Sequence, residues 1–339
     1  MKKARVLALV HEHLVPPDDT TGLDILEAEW KMEYDVIETL REMRHDVEVL
    51  GIDDDLAGIR RTAATFKPRI VFNLMEAFAG VTTFDQNVVS YLELLRLAYT
   101  GCNPRGLILA RDKGLSKKLL AYHRIPVPDF TVIRVGHKPV LPARLRFPLI
   151  VKSLFFESSA GISQASVVES HEQFARRVAF IHESLGTAAI VEQFIDGREL
   201  YVGVLGNERL DVLPVWEMSF AHMPDNRWKI ATERVKWSTK YQKRHGIMTD
   251  QAQLDPATAE RIQRIAKRTY RALDLNGYAR IDLRLDEEGR VFVLEANPNP
   301  NLAYGEDFAE SAERGGMTYE RLLTRIIGLG LRWKPERTG

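Results

Sequence analysis

Residues 278–301 read YARIDLRLDEEGRVFVLEANPNPN. Two runs of alternating polarity flank Glu288-Gly289, a pair suited to a hairpin turn. With that pair as the turn, Asp282 lies opposite Glu295 and Arg280 opposite Asn297. Alternation sends these four side chains to one face, and Ile281, Leu283, Leu285, Phe292 and Leu294 to the other. A slip of one residue would mix the two chemistries. Two carboxylates directly opposite in a hairpin have Cβ atoms about 4.5–5.5 Å apart, and like charges there destabilise. A hard cation compensates, because Asp, Glu and the Asn carbonyl are oxygen ligands of the kind Mg²⁺ takes. The competing reading is a solvated hairpin in which Arg280 and Arg284 pair the acids. After Glu295, Asn and Pro alternate. Proline has no N–H for a ladder, so the strand is expected to stop within two residues.

The rest of the chain bounds what such a site could serve. Its 339 residues exceed one ordinary core and imply two or three domains. Lysine plus arginine number 47 and so do aspartate plus glutamate, which leaves no electrostatic footprint for nucleic acid or an anionic membrane. A single cysteine, Cys102, excludes an internal disulfide framework and a Cys-rich zinc site. A reducing cytoplasm is the expected location. The opening MKKARVLALVHEH has an apolar run that ends at His11, too short for a signal-peptide core. No apolar stretch approaches the roughly 18 residues of a membrane span.

Patterning divides the chain. ARVLALV (4–10), DVEVLGI (46–52) and PRIVFNLM (68–75) read as strands, with a helix over 29–43 between the first two. A second helix over 87–97 leads to a short strand, AYTG (98–101). This alternation implies a parallel sheet, ending near Asn103-Pro104. A short basic helix from Arg111, strands over 130–135 and 147–154, a helix over 171–185 and a strand over 188–195 make a small α+β unit. Longer strands follow, RELYVGVL and RLDVLPVWEM. A helix follows with Asp255 as N-cap and Pro256 at its first position. Residues 220–252 read as a long irregular loop.

Six segments occur in an order that resembles the ATP-grasp superfamily, in its D-alanine–D-alanine ligase-like branch. They are RDKGLSK (111–117), FPLIVKS (147–153), ESSAGIS (157–163), IVEQFIDGREL (190–200), TKY (239–241) and RIDLRLDEEGRVFVLEANPNP (280–300). The resemblance implies a mixed α/β and α+β ATP-grasp fold. A Rossmann-like substrate-binding domain would span 1–112, a small central domain 113–195 and a larger C-terminal domain 196–339. It implies an ATP-dependent carboxylate–amine ligase: ATP phosphorylates a carboxylate, an amine attacks the acyl phosphate, and an amide forms.

By the same resemblance, Lys113 and Lys152 meet the phosphates, Glu192 and the Ile195 backbone hold adenine, Glu199 holds ribose, and Leu294 packs beside the nucleotide. Ser158, Ser159 and Gly161 belong to the loop that closes over the triphosphate, where the family has another glycine in place of Glu157. Lys240 and Tyr241 match a lid that would keep water from the acyl phosphate. Asp282, Glu295 and Asn297 match the ligands of two Mg²⁺ ions, with Mn²⁺ as a possible substitute. Arg280 matches the arginine that stabilises the oxyanion. A homodimer through the N-terminal domain is also implied.

Two stretches depart from the family. Where it has Pro-Gly and then Ser-Leu after the metal-binding Asn, this chain has Asn301 and then Glu306-Asp307. In the family the Ser-Leu pair holds the carboxylate of the second alanine; two acids would repel it. A cationic or polyhydroxylated acceptor fits these acids better. The family's Glu-x-x-Ser after the first strand is absent, and Glu12, Glu27, Glu29, Glu33 and Glu76 are the candidates to hold the donor amine. Three other readings stand beside the small-substrate ligase: a true D-alanine–D-alanine ligase, a natural-product tailoring ligase, and a nucleotide-binding regulator without catalysis.

Overall fold

The computed structural model describes residues 3–156 and 161–335. The first unit contains β1 (Arg5–His11), α1 (Lys31–Glu42), β2 (Asp46–Ile52), α2 (Ala57–Phe66) and β3 (Ile70–Asn73). Val6 to Val10 are all fully buried, as expected of a parallel strand covered on both faces. The sheet is parallel in the order β2-β1-β3. α2 occupies a segment that reads as polar because it fully buries only Ile59. AYTG contributes a single bridge, Tyr99 to Val71, rather than a strand. Next come α3 (Asp85–Leu94), α4 (Pro104–Arg111) and α5 (Lys113–Tyr122). Asn103 caps α4 through the Gly106 N–H, and Asp112 caps α5 through the Leu115 N–H.

The central sheet is antiparallel, in the order β4-β7-β5-β6. Its strands are β4 (Phe130–Ile133), β5 (Leu149–Ser153), β6 (Val167–Val168) and β7 (Ala189–Gln193), with α6 (His171–Ser184) packed on it. A five-stranded antiparallel sheet follows. It contains β8 (Arg198–Gly206), β9 (Leu210–Phe220), β10 (Ile247–Gln251), β11 (Tyr278–Leu285) and β12 (Val291–Pro298) in the order β10-β9-β8-β11-β12. Its helices are α7 (Glu233–Trp237), α8 (Thr239–His245), α9 (Pro256–Ala272), α10 (Asp307–Arg314) and α11 (Tyr319–Arg332). Among the described residues no helix is long and apolar enough to cross a membrane.

Residues 220–252 correct the sequence reading. Instead of an irregular loop they hold two short helices and an edge strand. Met223, Val235 and Ile247 pack on Tyr201, Trp216 and Met218. These apolar residues are too widely spaced to show a period, yet they converge in space. The C-terminal helix α11 shares a core with the first sheet, where Leu322, Ile326 and Ile327 join Val6, Val36 and Ile70.

The hairpin holds the expected pairs at its site end, Asp282 with Glu295 and Arg280 with Asn297. Its turn differs. Asp286 N–H donates to the Arg290 carbonyl, closing a three-residue loop with Gly289 at φ 76°. Leu283 therefore pairs with Val293 and Arg284 with Phe292. A β-bulge at Leu294 then restores the register before Glu295. The apolar face of β12 is consequently Val291, Val293 and Ala296, and not Phe292 and Leu294. The strand also outlasts Glu295 by three residues, through Pro298, which pairs with Ala279. β12 lies at the sheet edge, where a residue without an N–H is tolerated.

Candidate active site

The central sheet and the five-stranded sheet face each other across a partly open cleft. Strands and two helices supply its polar groups: Lys113 from α5, Lys236 from α7, Lys152 from β5, Glu192 from β7, Glu199 from β8, Asp282 from β11 and Glu295 from β12. Ile150, Phe194, Ile195 and Leu294 supply apolar wall. The bulge is what lets the consecutive residues Leu294 and Glu295 both line the cleft.

Charges inside are arranged by contact. Lys152 Nζ lies 3.1 Å from one Glu192 oxygen, and Lys117 Nζ lies 3.3 Å from the other. Lys113 Nζ donates to the Phe156 carbonyl at 2.8 Å and sits 3.7 Å from Glu295. Burial pushes the Glu192 carboxyl up, but Lys117 and Lys152 outweigh it and hold it below its ordinary value. Burial likewise pushes Glu295 up, and Lys113, Lys152, Lys236 and Arg280 bring it down to about 2. Glu295 is thus a carboxylate at neutral pH. Burial lowers Lys113 and Lys117; at Lys152 the same penalty is exceeded by Glu192 and Glu295, and its pKa rises.

Arg280 grips Asp282 through two bonds, Nε to Oδ1 at 2.8 Å and Nη2 to Oδ2 at 2.9 Å, and lies over the Tyr201 ring. Arg284 bonds Glu199 at 2.6 Å and reaches the Ile195, Gly197 and Lys229 carbonyls. The two arginines do pair acids, as the solvated-hairpin reading has it, but Asp282 is 4% exposed and Arg284 3%. This face of the hairpin is therefore interior. Tyr201 donates to the remaining Glu199 oxygen at 3.0 Å.

The donor set fits a hard divalent ion. Asp282 and Glu295 are opposed across the ladder, and burial raises Asp282 against the pull of Arg280. Asn297 Nδ2 is buried without a hydrogen-bond partner, so no contact fixes which end of its amide faces the carboxylates. Among the described residues no cluster of three or more acids, histidines or cysteines forms a metal site. The available set is two carboxylates and one amide.

Other sequence candidates fall elsewhere. Ser158 and Ser159, with Glu157, lie outside the described residues. Gly161 has φ 70°, and its N–H points to Glu233 at 3.4 Å, tying this loop to α7. Lys240 is exposed on α8 and does not line the cleft. Tyr241 accepts from Arg227 at 3.3 Å and packs beside Met223 rather than entering the cleft. The lysine that does line it is Lys236 on α7, one helix earlier. The TKY segment thus lies one helix beyond the cleft, and no periodic signal marks Lys236. Lys117 was equally missed, although it stands four residues after Lys113 on one helix face.

The substrate candidates sit beyond this cleft. Glu306 and Asp307 open α10, within the field of Arg280. Burial and Asp307 raise the Glu306 pKa, while Lys31, Arg280 and Lys236 oppose the rise. Asn301 Oδ1 accepts from the Ala303 N–H at 2.8 Å and so shapes the approach to α10. Glu76 follows β3 and is solvent-exposed, with the surrounding protein packed close about its carboxyl. That enclosure raises its pKa, Arg111 opposing and Asp85 adding. Asp85 and Arg111 form a buried pair at 2.6 Å. Of the N-terminal glutamates, Glu33 is 1% exposed and neither of its oxygens has a partner.

Comparison with known proteins places these residues in context. A family model described as D-ala D-ala ligase C-terminus matches residues 119–328. An uncharacterized protein, y4sG, of Sinorhizobium fredii is 32% identical over 305 residues, covering 88% of this chain and 86% of that one. A D-alanine–D-alanine ligase of Desulfotalea psychrophila is 32% identical over 263 residues, covering 77% and 78%. Among solved structures, the D-alanine–D-alanine ligase of Bacillus anthracis complexed with ATP has a TM-score of 0.75 at 19% identity, covering 97% of this chain and 98% of that one. The VanG D-Ala:D-Ser ligase of Enterococcus faecalis has a TM-score of 0.70 at 19% identity, covering 97% and 100%.

Proposed function

Given that the chain belongs to the D-alanine–D-alanine ligase family of ATP-grasp enzymes, we propose that it joins two small amino-acid-like substrates and that its acceptor is not D-alanine. The chemistry is that of an ATP-dependent, ADP-forming carboxylate–amine ligase. One observation carries the substrate reading: Glu306 and Asp307 lie at the mouth of α10, in the field of the Arg280–Asp282 pair. Two acids there suit a cationic or polyhydroxylated acceptor and oppose a free carboxylate.

The residues divide the work. Lys113 and Lys152 place cations where a triphosphate would lie; Lys113 is buried and Lys152 mostly so, which limits screening by water. Ile150, Phe194 and Leu294 give an apolar slot for a base, with the Ile195 backbone at its edge. Glu192 is engaged by two lysines, so any bond to an adenine amino group would be shared with them. Glu199, held by Arg284 and Tyr201, is aimed rather than free, which suits a ribose contact. Asp282, Glu295 and Asn297 would hold two Mg²⁺ ions, which when bound neutralise phosphate charge during transfer. Arg280 supplies a positive charge beside the carbon that becomes tetrahedral when the amine attacks. Lys236 on α7, rather than Lys240, is the lid lysine in this arrangement. Ser158 and Ser159 keep the phosphate-loop role that the sequence suggests.

The relatives named D-alanine–D-alanine ligases favour the genuine D-alanine enzyme as the second reading. ADP release measured against a panel of amines separates the two. Turnover with basic or hydroxylated amines above D-alanine supports the proposal; turnover with paired D-alanine alone supports the rival; tight ATP binding with no turnover supports a regulator. Replacing Glu306 by Ser and Asp307 by Leu should move preference toward D-alanine. An unchanged preference would remove these two acids from acceptor selection.

A further inference from the structure

Lys117 has no place in the roles assigned so far, yet it is the most deeply buried of the three lysines on α5, at 1% exposure. Its Nζ donates to the Leu294 carbonyl at 2.7 Å and lies 3.3 Å from Glu192. Leu294 is the residue inserted by the bulge, and an inserted residue is left out of the ladder. β12 is an edge strand, so no neighbouring strand supplies donors on its outer side. α5 covers that side. One turn apart on α5, Lys113 meets the Glu295 carboxylate and Lys117 meets the carbonyl of the residue before it. Burying an ammonium is costly unless it is paired and hydrogen-bonded, so a partner set this specific argues for a defined task.

We propose that Lys117 is a positioning residue that clamps the Leu294 bulge and thereby fixes Glu295 opposite Asp282 for divalent-cation binding. The inference rests on Glu295 being a metal ligand. Lys117 itself touches neither metal nor nucleotide; it acts through the backbone of β12. Groups that orient a metal ligand commonly change metal affinity about 10–100-fold when removed.

The test is binding of Mn²⁺ to the full-length protein in the presence of ADP, followed by the loss of free-Mn²⁺ electron paramagnetic resonance signal. Lys117→Met should raise the Mn²⁺ dissociation constant at least about tenfold, and Lys117→Arg should recover most of it. Glu295→Gln is the reference for the underlying metal reading. If Glu295→Gln weakens Mn²⁺ binding and Lys117→Met does not, the clamp is refuted and the metal reading stands. If neither weakens it, both are refuted. A lysine needed only for folding would lower the melting temperature and leave Mn²⁺ affinity of the folded protein unchanged. Should Lys117→Met not fold, Lys117→Met with Glu192→Gln removes the stranded carboxylate contact, and the same titration applies. A wild-type-like constant in that variant overturns the proposal.

Discussion

Arg280 and Asp282 are two residues apart on β11 and lock together through two bonds, so neither can be changed without freeing the other. Arg280→Ala should lower the rate of ADP release by about 10²–10³-fold if it stabilises charge on the reacting carbon. Steady-state kinetics beside a binding titration for ATP would show the loss in turnover rather than affinity. Glu33 makes a different prediction, about pH. Burial, aided by Glu76, raises its pKa from 4.5 to about 7. Its folded value exceeds the unfolded one, so the folded state holds the proton more tightly between those limits. Stability is therefore unaffected by this group below pH 4.5, falls as pH rises toward 7, and stays reduced above it. The penalty is about 3 kcal/mol by the size of that shift. Glu33→Gln should raise the melting temperature at pH 8 and leave it unchanged at pH 4; equal effects at both would refute the assignment. At this scale the sequence was legible where a motif fixed a residue's neighbours: Lys113, Glu192 and Glu295, far apart in the chain, line one cleft. Lys117 was passed over, although its four-residue spacing from Lys113 in RDKGLSK puts both on one helix face. Lys236 was not, because five helical residues in a sparse segment give no period.

The hairpin shows why elements are read more easily than their irregularities. Alternation identifies β11 and β12 and pairs Asp282 with Glu295, since both ends of the strands carry alternating polar residues. VFVLE, by contrast, is apolar at four successive positions, and a period of two cannot be read from it. The three-residue turn and the bulge at Leu294 each shift the register by one, in opposite senses. They cancel at the site, so the pairing of the acids is legible and the path to it is not. Helix ends follow local chemistry more closely. Asp255 accepts from the Thr258 N–H at 2.9 Å with Pro256 at the first position of α9. Asp255→Ala should cost about 1 kcal/mol, measured by urea denaturation, with ADP release unchanged at saturating substrates.

At the scale of the molecule, the packing of three sheets puts Lys113, Lys152, Glu192, Asp282 and Glu295 in one cleft and leaves Glu306 and Asp307 beyond it. The parallel first sheet is visible in its strand–helix alternation, and the antiparallel pairing of β8 with β9 and of β11 with β12 in their short connections. The return of α11 to the first core is not, because an amphipathic helix does not say which sheet it covers. The homodimer that the family resemblance implies is tested by sedimentation equilibrium at micromolar concentration, and a monomer there would contradict it. Removing divalent ions with a chelator should abolish ADP release and Mg²⁺ should restore it. The central claim is that a carboxylate is activated by phosphorylation before an amine displaces the phosphate. A donor acid labelled with ¹⁸O in its carboxylate, turned over with ATP and amine, tests it directly. The account predicts one ¹⁸O atom transferred to each phosphate released, and phosphate free of label alongside amide product would contradict it.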